Sequence, residues 1–85
     1  MPRALTLDAR EMAPPEPLQR ATEILHQLAP GTYLHMLHRR IPYPLLDTAQ
    51  GLSLKSQVIE SGEADYTIII FDPADRLALQ AAGVL

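Results

Sequence analysis

Two strand-like segments separated by a single helix-length stretch constrain this chain more than any other feature. Residues 3–9 alternate, with Leu5 and Leu7 to one side and Thr6 and Asp8 to the other, and Thr32 to His38 repeats that period with Leu34 and Met36 on one face. Between them Leu18, Ala21, Leu25 and Leu28 recur at spacings of three and four, the stripe of an amphipathic helix. A helical crossover of this kind returns the chain to its starting edge, so the two strands run parallel.

The remaining elements follow from their punctuation. Pro14, Pro15 and Pro17 crowd the entry of the first helix, where a missing amide costs no intrahelical bond, and Pro30-Gly31 closes it. Arg39-Arg40-Ile41-Pro42-Tyr43-Pro44 reads as a proline-punctuated loop, and Leu45, Leu46 and Ala49 as a short second helix stopped at Gly51. Residues 54–59 and 66–71 are strands joined by a hairpin turn at Glu60-Ser61-Gly62-Glu63. The order β-α-β-α-β-β predicts an α/β, more strictly α+β, two-layer sandwich: a four-stranded mixed sheet with two helices on one face. Residues 1–72 form that domain. In residues 73–85, Asp72 can cap and Pro73 can start a short third helix with a weak stripe of Leu77, Ala81 and Val84, which either packs on the domain or frays.

The run Ile68-Ile69-Ile70 has the character of a strand covered on both faces. Three covers fit: the tail, a second copy of the chain, or a partner domain. The tail needs the fewest assumptions. Otherwise one isoleucine is simply exposed.

Composition narrows function by exclusion. The 85 residues contain no cysteine, which removes disulfide frameworks, thiolate metal sites and thiol nucleophiles. A formal net charge of −3 leaves no global positive field for nucleic acid, and a third reading, RNA binding, would need a local site. No apolar run approaches a membrane span or a signal peptide, so a cytoplasmic location is expected. Gly31, Gly51, Gly62 and Gly83 are isolated rather than gathered in a phosphate loop, and no Ser, His and acid set carries a catalytic motif. A non-enzymatic role without a cofactor is expected.

Parallel strands end at one edge, so residues 10–17 and 38–44 converge there, and such crevices are where open α/β sheets bind ligands. The candidate cluster is Arg10, Glu16, His38, Arg39, Arg40 and Tyr43, suited to an acidic partner or small anion through forked guanidinium hydrogen bonds. The bland counterpart is a solvated loop whose arginines pair with Asp8, Glu11 or Glu16. His35-x-x-His38 has metal-ligand spacing on a helix, but on a strand the two imidazoles face opposite ways; His26 flanks the first helix stripe. Tyr33, Tyr66 and Phe71 suggest a base-stacking platform, yet Tyr66 and Phe71 differ in strand parity and Glu60, Glu63 and Asp65 would repel phosphate. Core packing accounts better for both rings.

The segment Leu7-Asp8-Ala9-Arg10-Glu11-Met12-Ala13-Pro14-Pro15-Glu16-Pro17 resembles the opening of the TusA sulfur-carrier family, in which Asp-x-Arg at a strand end leads into Cys-Pro-x-Pro. Here Pro14 stands in the place of the sulfur-accepting cysteine. That departure, with Leu37-His38-Arg39-Arg40-Ile41-Pro42-Tyr43-Pro44-Leu45-Leu46, resembles the cysteine-free relatives known as domain of unknown function 2249, over Leu5 to about Phe71. The resemblance implies the same two-layer sandwich. By analogy it implies a protein partner in a redox, sulfur or metal-cofactor pathway, since some relatives look like domains joined to haemerythrin-like modules. Sulfur relay as a persulfide is chemically closed to this chain. The expected function is a binding or adaptor module, with metal or cofactor handling through His38 and nearby carboxylates as the alternative, and a homodimer is compatible with either.

Overall fold

In the computed structural model, which describes residues 1–62 and 65–85, β1 (Arg3–Asp8) and β2 (Thr32–His38) pair in parallel, with Leu5 opposite Leu34 and Leu7 opposite Met36. β4 (Tyr66–Phe71) lies antiparallel on the other side of β2, and β3 (Lys55–Glu60) pairs antiparallel with β4 at the edge. The sheet order is β1-β2-β4-β3, mixed as expected. The Ser61 amide donates to the Asp65 carbonyl at 3.0 Å, while the hairpin residue Glu63 lies outside the described residues.

α1 (Glu16–Leu25) and α2 (Tyr43–Gly51) cover one face of the sheet. Ala21, Leu25, Leu45 and Ala49 from the helices meet Leu34, Met36, Ile68 and Ile70 from the central strands, all buried. The helix stripe differs from the expected one at both ends. Pro17, Ala21 and Leu25 form the buried row, and Leu18 stands beside it, 36% exposed. α1 also ends at Leu25, before Pro30-Gly31, because the Leu28 amide already bonds three residues back to Leu25 and Thr32 Oγ1 takes up the Ala29 amide at 2.9 Å. Leu28 therefore reaches the core from a turn. Gly31, at φ +82°, makes the left-handed turn into β2.

The second face carries Tyr33, Ile69 and Phe71, and the tail covers them. A 3-10 turn (Pro73–Asp75), capped by the Asp72 carboxylate on the Ala74 amide at 2.9 Å, leads into α3 (Arg76–Ala81). Leu79 is buried against the three sheet residues, with Val84 and Leu85 packed alongside. The Arg76 guanidinium sits 5.2 Å from the Phe71 ring centre, and the Gly31 amide donates to the Asp75 carboxylate at 3.0 Å. The expected stripe holds only at Val84: Leu77 is 79% exposed, Ala81 is exposed as well, and Leu79 takes the inward position in α3. Gly83, at φ +78°, then folds the chain back so that the Val84 amide reaches the Leu79 carbonyl at 2.9 Å.

Alternation thus divides the isoleucine run. Ile68 and Ile70 serve the helix-covered face, Ile69 the tail-covered face. Tyr33 and Phe71 lie buried under the tail and Tyr66 packs on the helix side, so the three rings form no common platform. No helix among the described residues is long and apolar enough to cross a membrane.

Candidate functional site

β1 and β2 finish side by side, and the Ala9 amide prolongs their pairing by donating to the Leu37 carbonyl at 2.8 Å. Beyond that point the β1–α1 and β2–α2 loops part around a cavity of about 390 Å³. Its position is the one that parallel connectivity dictates. Its chemistry is not that of a basic cleft. Pro14, Pro15, Pro17, Pro42 and Pro44 supply rigid wall, and Met12, Leu18, Met36, Ile41 and Leu45 complete an apolar lining.

The polar groups are Arg10, His38, Arg39 and Arg40. Arg10 is engaged: its Nε donates to Asp8 Oδ1 at 2.9 Å and its Nη2 to Oδ2 at 2.8 Å, with Asp65 a further 3.8 Å away. The forked pair lowers the Asp8 carboxyl to about 2, chiefly through the side-chain hydrogen bond, and raises the Arg10 guanidinium. Arg39 reaches across the cleft to Glu11 at 2.8 Å, tying one loop to the other. Among the described residues no carboxylate pairs with Arg40.

His38 shares strand parity with Leu34 and Met36, which turns its ring toward the cavity and away from His35. Its Nδ1 accepts the Arg39 amide at 3.0 Å. Burial first, and then the neighbouring Arg40 charge, lower its pKa, so the ring is neutral at neutral pH. With Nδ1 accepting, the remaining proton resides on Nε2, which is a donor and offers no lone pair to a metal. Among the described residues no three His, Cys, Asp or Glu side chains gather as a metal site.

Four of the six residues singled out in the sequence therefore line one cavity, and two do not. Glu16 turns along its helix to Arg20, 3.4 Å away at the i,i+4 spacing, and Tyr43, at the first turn of α2, points outward with 65% of its surface exposed. The apolar lining was missed, although the signal existed: Met36 precedes His38 by two residues on a strand, and the paired prolines bracket Tyr43.

The Asp8–Arg10 pair yields a direct test. A carboxyl lowered on folding contributes stability above its unfolded pKa, and the contribution disappears as pH falls toward 2. An NMR titration of Asp8 is expected to show its midpoint near 2, and Arg10→Gln to return it toward the ordinary value of 3.8.

By fold, the chain is a small α+β domain with a pocket at the carboxyl edge of its parallel strands. Residues 6–71 match the family model described as uncharacterized conserved protein, DUF2249, and the chain belongs to that family. The match spans both pocket loops and ends at Phe71, so the tail lies beyond it. No curated protein and no solved structure matches the chain.

Proposed function

We propose that this domain is a non-catalytic binding or adaptor module that engages an acidic or anionic protein partner at the pocket between the β1–α1 and β2–α2 loops. The observation that carries the reading is the combination, in one cavity, of a proline-held apolar wall with Arg40 and a neutral His38. Pairing of Arg10 with Asp8 and of Arg39 with Glu11 narrows the charge available to a ligand, so apolar contact must supply much of the affinity. The pairs also hold the loops in shape, which lowers the ordering cost of binding.

We read the domain as a cysteine-free branch of the TusA-like sulfur-carrier superfamily, on the strength of Asp8-Ala9-Arg10 followed by Pro14-Pro15-Glu16-Pro17. Without cysteine it holds no persulfide, and a place in a redox, sulfur or metal-cofactor pathway would be that of a partner to a carrier. Metal handling through His38 is the weaker reading, because the Nδ1 hydrogen bond leaves Nε2 protonated.

The test is a pull-down from native lysate with the wild-type chain and a His38→Ala, Arg39→Ala, Arg40→Ala triple variant, both shown by circular dichroism to be equally folded. A protein retained by the wild type alone is the expected result. Equal retention, or none by either, would remove the pocket as the binding site.

A further inference from the structure

We infer that the pocket captures the C-terminal residue of a partner chain, with the apolar side chain in the cavity and the free carboxylate on His38 and Arg40. This rests on the binding-module reading above and names the chemistry that the pocket selects.

Size sets the first limit. About 390 Å³ lies at the small end of the range for ligand pockets, which suits one large side chain with its carboxylate. Carbon and sulfur back the lining, from the fully buried Met36 and Leu45. One apolar side chain fills such a space without stranding a polar group.

The donors set the second. His38 presents Nε2–H, because Nδ1 already accepts the Arg39 amide, and Arg40 presents a guanidinium with no carboxylate partner among the described residues. Neither group has an acceptor left free, since the one on His38 is taken by the Arg39 amide, so the ligand must bring acceptors. A single carboxylate takes the forked guanidinium and the imidazole N–H together. A long acidic tract fits less well, since Asp8 and Glu11 stand on the same rim.

Exposed apolar surface decides between a chain end and a free aliphatic acid. Leu18 lines the pocket yet is 36% exposed, and Tyr43, between the lining residues Pro42 and Pro44, is 65% exposed. A small acid filling the cavity leaves these side chains in water, whereas the residues preceding a chain terminus can lie across them. A C-terminal residue is also where an apolar side chain and a carboxylate share one Cα.

The experiment is an NMR titration of the full isotope-labelled chain with three probes: an acetylated Gly-Ser-Gly-Leu peptide with a free C-terminus, the same peptide amidated, and octanoate. The free-acid peptide is expected to shift residues lining the pocket, with the amidated form weaker by about tenfold, the scale of a lost charge-assisted hydrogen bond. Arg40→Gln is expected to weaken the free-acid peptide by a similar factor and leave the amidated one unchanged. Equal binding of acid and amide at the pocket would overturn carboxylate capture while leaving the binding-module reading intact. Binding of octanoate without the peptide would overturn the chain end in favour of a small acid. No shift with any probe would overturn the inference, and the pull-down would then judge the module reading by itself.

Discussion

Leu34→Ala is expected to lower the unfolding free energy by about 2 to 5 kcal/mol, the largest single effect anticipated for this chain. Leu34 is fully buried in β2, between Leu5 of β1 and Ile70 of β4, beneath both covering helices. Its truncation removes contacts from the whole helix-covered core, and strands held on both sides cannot close over the void. A domain of this length has a total stability on the order of 4 to 13 kcal/mol, so the loss is a large share. Thermal and urea unfolding measure it directly. Ile59→Ala, at a position 38% exposed on the edge strand, is the matched control and should stay within about 1 kcal/mol of wild type. An effect on Leu34 no larger than that control would contradict the packing described.

Leu79→Asp is expected to detach the tail at a cost of about 2 to 4 kcal/mol. Leu79 is 1% exposed against Tyr33, Ile69 and Phe71, and a carboxylate there has no partner. Burying the charge would cost more than releasing a short helix, so the chain takes the cheaper course and the loss is limited to the packing of the tail. The readouts are a lower unfolding midpoint and faster tryptic cleavage after Arg76. Leu77→Asp, two residues earlier and 79% exposed, should change neither. The pair separates the structure from the sequence pattern, because periodicity alone places Leu77 rather than Leu79 on the packed side.

That contrast shows what the sequence could reveal. The sheet was legible because strand alternation and one helical crossover leave few ways to connect four strands, and the convergence of Arg10 with His38 and Arg40 follows from the same connectivity. The isoleucine run likewise announced a covered second face. What escaped was phase. In α3 Leu79 rather than Leu77 faces inward, and in α1 Pro17 joins Ala21 and Leu25 in the buried row while Leu18 stands at its edge, distinctions that hydrophobic spacing alone does not make. The site was read too polar for a related reason. Charged loop residues are conspicuous in a sequence, and the plainer expectation that they pair with Asp8 and Glu11 holds for Arg10 and Arg39, whereas Met12 and Met36 turning into the space between is a property of three-dimensional neighbours.

The order β1-β2-β4-β3 also governs how the chain comes to exist on the ribosome. The last strand to be synthesised is one of the two central ones, and until Phe71 has emerged β2 lacks a neighbour along one whole side. The preceding β1-α1-β2-α2 segment would expose Leu34, Met36, Leu45 and Ala49 without Ile68 and Ile70 to meet them. Pairing Met36 with Ile68 closes a long loop, a step that precedes any reward from the core. The helix-covered core is therefore completed only once β4 has emerged, and a chaperone that meets the chain before then meets the future pocket wall and the future core together.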